Sequence, residues 1–332
     1  SMFNTDGRID WDDPRQRKQY AEMRMMSLKN ERASYDAQYR DIGDHIAPRR
    51  SRFHTSDTNK GDNRYVKIID NTAVTALRTL RAGMHAGVTS PARPWFKLGP
   101  QDIEMEQYRP VNRWLHIAMR VLREMFRASN FYNNAHMMYG DLGGFGTSAI
   151  IVDEDYEDAI RLHTLPCGEY VLGTDDRMVV DTIGREYRFT TWQVVSRFGL
   201  KNCSSSVRDN YVKGLYDAPV DCAHLIYPNH ARKEGAIGAA GKRWLSVYWE
   251  KNRTDARDSH LLLRESGYNY FPGVAPRWDL RPGDVYGIGP GMEALGDAKQ
   301  LQQQQRRKAQ GIDKMVSPPM TGPAALANMP SS

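Results

Sequence analysis

Cysteine is scarce in this sequence. Among 332 residues only Cys167, Cys203 and Cys222 occur, at irregular spacing. That speaks against a disulfide framework and for a reducing compartment. Long apolar runs are missing too. Nothing approaches the roughly 18 consecutive apolar residues of a membrane span, so no membrane partner is expected. The first thirty residues are charged throughout, and no signal peptide is expected. Ser1 before Met2 reads as the scar of a cleaved expression tag.

The signatures of chemistry are equally thin. The glycine run from Gly140 to Gly146 lacks the Gly-Lys-Ser/Thr ending of a phosphate loop and precedes a strand instead of following one. Close backbone packing is the better account of those glycines. The acidic run from Asp153 to Asp158 lacks the central glycine and distant glutamate of a calcium loop, and reads as a solvated hairpin tip. No His-Glu-x-x-His and no nucleophile elbow occurs, and Cys222 and His224 stand too isolated for a zinc site. No catalytic residue, metal or cofactor is expected.

What is present is an ordinary soluble composition, 40% hydrophobic and 26% charged, with a net charge of +6. The basic surplus permits an anionic partner without requiring one. It gathers in three clusters: Arg49, Arg50 and Arg52; Lys60, Arg64 and Lys67; and Arg306, Arg307 and Lys308. Solvated faces explain each cluster singly, and nonspecific contact with double-stranded DNA needs no more than such charge. No sequence-reading motif accompanies them.

Along the chain, helices are predicted over 11–46, 68–88, 111–127 and 131–141, with a polar loop over 51–64. Apolar stripes run through Tyr20, Met23, Met26, Tyr35, Tyr39, Ile42 and Ile46 of the first and Val74, Leu77, Leu80 and Met84 of the second. The second also carries small residues that admit a neighbouring backbone, and Thr72 or Asn71 can cap it. Trp114, Leu115, Ala118, Val121, Leu122 and Met125 are placed on the inner side of the third. After Gly140 short strands alternate with turns: 147–152, 161–165, 169–172, 179–183, 185–190, 221–227, 243–250 and 260–265, with short helices at 191–198 and 204–214. The fold class is α+β: N-terminal helices, a β-rich block, then one long C-terminal helix.

That last helix is the most informative stretch. Gly287, Gly289 and Pro290 break what precedes it, and Pro318 and Pro319 end it. Leu295, Ala298, Gln302, Gln305, Ala309, Ile312 and Val316 form a heptad seam whose middle is glutamine. On pattern alone a surface helix crossing one domain is the leading reading. The sharper one is a helix packed sideways on copies of itself around a wet channel, with Gln302, Gln305, Arg306, Arg307 and Lys308 touching DNA or a neighbouring subunit.

The order of features is similar to one known family. The carrying residues are Asp70 to Ala73, Arg81 to Met84, Thr89 to Pro91 and Pro94 to Phe96; Tyr139, Gly140, Leu142, Gly144 to Thr147 and Ile150; Thr182 to Arg185, Phe189 to Gln193, Phe198 and Gly199; and Pro276 to Trp278, Tyr286 to Gly291, Ala294 to Asp297, Lys299 to Leu301, Pro318 and Pro319. Together they resemble the portal, or head-to-tail connector, proteins of short-tailed, podovirus-type bacteriophages.

The resemblance implies a structural protein with no catalytic site. It implies a ring of about twelve copies at one capsid vertex of the virion, assembled in the bacterial host cytoplasm. The partners it implies are other copies, the capsid protein, the terminase motor, a tail adaptor and passing double-stranded DNA during packaging and ejection. Residues 3–281 would be a wing-like domain, 287–317 the first stem helix and 318–332 the start of the clip region. Members of the family continue beyond that point through a second stem helix and a crown, so the chain reads as cut for expression or as a prophage remnant. Competing classes are a capsid or tail adaptor, another DNA-associated structural protein, or an uncharacterised enzyme.

Overall fold

Asp13 begins the first helix. Its carboxylate accepts from the Arg15 N–H at 2.9 Å, and Pro14 at the first helical position has no N–H to lose. The computed structural model describes residues 9–48, 50–53, 65–251, 253 and 261–318. Helix α1 spans Pro14–His45, α2 Thr72–Val88, α3 Arg109–Ala128 and α4 Phe131–Phe145. Strands β1 (Ala149–Asp155), β2 (Ala159–Leu165), β3 (Tyr170–Thr174) and β4 (Val180–Thr190) follow. Then come α5 (Thr191–Phe198), α6 (Ser205–Val212), β5 (Pro219–Pro228), β6 (Trp244–Glu250), β7 (Arg264–Tyr268), β8 (Gly273–Val274) and α7 (Pro290–Val316). The α+β order expected from the sequence is the order found.

Two antiparallel sheets organise the middle of the chain, β2-β1-β8 and β3-β4-β5-β6-β7. Helix α1 lies along one face of the larger. Ala21, Met25 and Leu28 pack there on Val171, Leu225, Val247 and Trp249. On the opposite face α5 and α6 bury Val194, Phe198 and Val207 against Tyr187, Cys222 and Tyr248. Thr190 starts α5 with a reciprocal capping box to Gln193, and Gly199, at φ 81°, ends it. The smaller sheet joins the larger through Ala149, Ile151, Leu172, Ile183, Ile226 and Tyr286. The acidic run is the tip of the β1–β2 hairpin.

Several expectations shift. The expected stripe of α1 holds in its second half, at Tyr39, Ile42 and Ile46, but in the first half the buried residues are Lys18, Ala21, Met25, Leu28 and Arg32, not Met23 and Met26; Met26 is 67% exposed. Two charged residues conceal the true face. Arg32 is buried because its guanidinium donates to the Gly168 and Tyr170 carbonyls at 2.9 and 2.6 Å and to Asp36 at 2.9 Å. The strands predicted over 179–183 and 185–190 are one, β4. Gly184 is not a break there; a Cβ at that position would stand 2.8 Å from the Met25 methyl of α1.

Helix α2 starts at Thr72, and its first N–H is accepted by Asp70 Oδ1 at 2.8 Å; no side chain of Asn71 caps it. Of its small residues Ala73 packs against the Tyr39, Ile42 and Phe145 cluster, whereas a Cβ on Gly83 or Gly87 would meet nothing. The small residues that matter are in α4, where Gly143 receives Leu77 and Leu80 of α2. In α3, Trp114 and Val121 are 67% and 59% exposed instead of inward. Leu115, Leu122 and Met125 are half-buried, because only one edge of α3 leans on the body of the chain. Strand β7 begins at Arg264, later than predicted, and 254–260 lie outside the described residues.

Candidate functional site

Entry into α7 is made by backbone lying on backbone. Gly146 closes α4 in the left-handed conformation, φ 74°, and its N–H returns to the Leu142 carbonyl. Gly287, Gly289 and Gly291 run directly across it. A Cβ on Gly291 would stand 2.3 Å from the Gly144 oxygen, and one on Gly289 2.7 Å from the Gly146 nitrogen. Thr147 Oγ1 accepts the Gly287 N–H at 2.8 Å, and the Gly146 carbonyl accepts the Trp278 N–H at 2.9 Å. Close backbone packing, the sequence reading of the glycines from Gly140 to Gly146, is found at Gly144 and Gly146, whereas Gly140 and Gly143 receive side chains of α2. Next to this crossing the Tyr286 hydroxyl accepts the Leu172 N–H at 3.0 Å, and its ring meets Tyr35.

The first half of α7 then packs on its own chain. Met292, Leu295 and Ala298 join Tyr39, Ile42 and Phe145, and Lys299 Nζ reaches Asp41 at 2.5 Å. Gln302 is 5% exposed. Its Oε1 accepts the N–H groups of Ile69 and Asp70 at 2.6 and 2.9 Å, and its Nε2 donates to the Asp70 carbonyl at 2.8 Å. Gln305 Nε2 adds a 3.3 Å bond to Asp70 Oδ2. The idea that a seam glutamine reaches across to another copy is therefore corrected at Gln302. Its amide is used up within the chain, holding the segment that leads into α2.

From Arg306 to Val316 every residue of α7 is exposed. Arg306, Arg307 and Lys308 stand at the start of this half, and Ile312, Met315 and Val316 add an uncovered apolar edge, with Met315 82% exposed. This half continues a helix anchored by its first half and takes no packing from the rest of the described residues.

The other basic clusters are partly spent internally. Arg50 grips Asp141 through Nε–Oδ1 at 2.7 Å and through Nη2–Oδ2. Asp141 lies fully inside, and burial lifts its carboxyl to about 6 despite Arg50 and Arg81. Arg52 approaches Glu169 at 3.5 Å, and Lys67 reaches Asp44 at 2.7 Å. Arg49, Lys60 and Arg64 lie outside the described residues, as do the predicted 51–64 loop beyond Phe53 and the clip residues 319–332. The Arg50–Asp141 pair was legible in principle: a carboxylate within the apolar, glycine-rich stretch of α4 demands a cation. Among the described residues no group of three or more His, Cys, Asp or Glu is placed to hold a metal, and no helix is long and apolar enough to cross a membrane.

The described body thus carries the second half of a long helix, with Arg306, Arg307 and Lys308 at its start, beyond its own core. Residues 18–332 match the profile described as bacteriophage head to tail connecting protein, and the chain belongs to that family. It is 46% identical over 305 residues to the portal protein of Salmonella phage epsilon15, covering 92% of this chain and 54% of that protein. It is 40% identical over 301 residues to the probable portal protein of Bordetella phage BPP-1, covering 91% and 54%. The chain thus spans about half the length of these curated relatives.

Proposed function

We propose that the chain serves as part of a structural, non-catalytic portal subunit: a ring at one capsid vertex of the virion through which DNA enters and leaves. In this reading residues up to about 281 are the wing and 287–317 the first stem helix, with the clip starting at Pro318. The ring is the docking place for capsid protein, terminase motor and tail adaptor, and it is built in the host cytoplasm. Arg306, Arg307 and Lys308 face the channel or the neighbouring stem, where they meet DNA phosphates without reading sequence.

One observation carries this proposal: α7 is anchored as far as Gln305 and uncovered from Arg306 onward. A helix held rigidly at one end and bare at the other is suited to packing beside copies of itself. The test is the solution mass of the intact gene product, by light scattering and negative-stain imaging. A ring of about a dozen copies is expected. A monomer or dimer would favour an adaptor or another DNA-associated structural protein. Replacing Arg306, Arg307 and Lys308 by Gln in the intact phage is expected to lower the DNA packaged or retained; unchanged DNA content would dismiss their role.

A further inference from the structure

Gly140 lets an arginine lie flat on a helix. A Cβ at that position of α4 would stand 2.8 Å from Arg81 Cδ and 3.7 Å from its Nη1. Arg81 and Arg78, on the same helix α2, and Arg50, from the turn after α1, line one cleft of about 190 Å³ with Val74, Leu77 and Gly140. The charges in it do not balance. Arg50 is taken by Asp141. Among the described residues, no ion pair or hydrogen bond engages Arg78 or Arg81, and Arg81 Nε is buried without an acceptor. Among the described residues three guanidinium groups thus stand near one carboxylate, a surplus of two positive charges.

The neighbours sharpen the imbalance. Burial, then Arg81 and His85, hold His136 below the usual imidazole range, so it leans to the neutral form instead of adding charge. His85 Nδ1 is also buried without a partner. A half-buried nest of like charges with orphan donors costs free energy unless an anion fills it.

We infer that this cleft binds a phosphate group. Arginine forks match the oxygens of a tetrahedral oxyanion two at a time. A surplus of two charges suits a phosphate, which carries about −1.5 to −2 near neutral pH, better than a single carboxylate. The volume is below the roughly 300 Å³ at which drug-sized ligands begin to fit, so a phosphate alone enters, not a nucleotide. The free ion matches this charge; a nucleic-acid backbone, whose diester offers the same tetrahedral oxygens with a single negative charge, is the other source. The site lies apart from α7 and does not rest on the ring proposed above.

The experiment is calorimetric titration of the 332-residue chain with inorganic phosphate, against chloride at matched ionic strength, with melting temperature followed in parallel. Saturable binding of one phosphate per chain with a raised melting temperature is expected. Arg78→Gln, a change at an exposed position, should weaken it severalfold, and Arg78→Gln with Arg81→Gln by about tenfold or more. Gly140→Ala keeps every charge but pushes Arg81 off α4, and should also weaken it. The Gln triple variant at Arg306, Arg307 and Lys308 should bind phosphate normally. A short DNA duplex that displaces the phosphate assigns the site to the nucleic-acid backbone; a duplex that leaves it bound assigns the site to the free ion. No saturable phosphate effect, one that survives in Gly140→Ala and the double variant alike, or one abolished in the α7 triple variant overturns the inference.

Discussion

A Cβ on Gly146 would lie 2.5 Å from the Gly289 nitrogen, so the end of α4 and the start of α7 touch with no side chain between them. Gly146 also sits at φ 74°, where an L side chain is strained. Gly146→Ala therefore combines a backbone clash with an unfavourable conformation. A loss of about 3 kcal/mol or more is expected, read as a lowered urea midpoint at unchanged slope. Gly296→Ala in α7, where a Cβ meets nothing, should instead be neutral or slightly stabilising. An equal midpoint for Gly146→Ala and the wild type would contradict the contact.

Gln302 closes three hydrogen bonds to the backbone of Ile69 and Asp70. Gln302→Ala strands two N–H donors and a carbonyl in a half-buried place. A cost of about 2 to 3 kcal/mol is expected. The sharper measurement is amide hydrogen exchange: Ile69 and Asp70 should lose protection while Gly287, held by Thr147, keeps it. Uniform loss across all three would mean that Gln302 supports the fold only globally.

Much of this architecture can be read from the residues, and the failures have physical causes. The long helix is visible because glycines and prolines punctuate both of its ends. The strands 221–227 and 243–250 are visible from their short apolar and aromatic runs on either side of a glycine- and alanine-rich loop, and they pair as β5 and β6. The face of α1 is legible at Tyr39, Ile42 and Ile46 but hidden in its first half, because Lys18 and Arg32 occupy core positions by burying their stems. Gly184 and Gly143 look like breaks or spacers, but each is a socket for a long-range partner that no local window contains. The same limit applies to the site. Arg306, Arg307 and Lys308 are exposed, as a charge run invites one to expect, whereas Gln302 and Arg50 are committed to partners 232 and 91 residues away.

His224 is enclosed completely, stacked at 3.7 Å on Tyr248, with Nε2 2.9 Å from Ser246 Oγ. Burial first, then Arg185, Arg197 and Arg264, hold its pKa well below 6.5. The folded state therefore takes up this proton less readily than the unfolded chain. The contribution is complete above about pH 6.5 and is lost as pH falls below it. Asp141 has the opposite sign: with its carboxyl raised to about 6, the folded state holds that proton more tightly, and the resulting stability is lost as pH rises through about 6. The two partly offset each other between about pH 4 and 6. Removing one should expose the other. In His224→Gln, the drop in urea midpoint from about pH 7 to about pH 5 is expected to shrink or reverse. An unchanged drop would place the acid sensitivity elsewhere.

Arg50 and Arg306 belong to basic clusters that look alike in sequence, yet they should fail in different ways when neutralised. Arg50→Gln leaves the Asp141 carboxylate inside without its cation, a change of about 3 to 5 kcal/mol. Asp141→Asn removes the buried charge itself and should be milder, and adding it to Arg50→Gln should restore part of the loss. Replacing Arg306, Arg307 and Lys308 by Gln touches nothing in the core, so the urea midpoint should not move. Affinity for a duplex of arbitrary sequence should fall instead. The logarithmic salt slope should flatten by up to about 2.7, near 0.9 for each phosphate that the protein no longer neutralises. If the triple variant bound DNA with an unaltered salt slope while Arg50→Gln changed it, the nucleic-acid face would lie beside α1, and α7 would be an assembly element without a direct DNA contact.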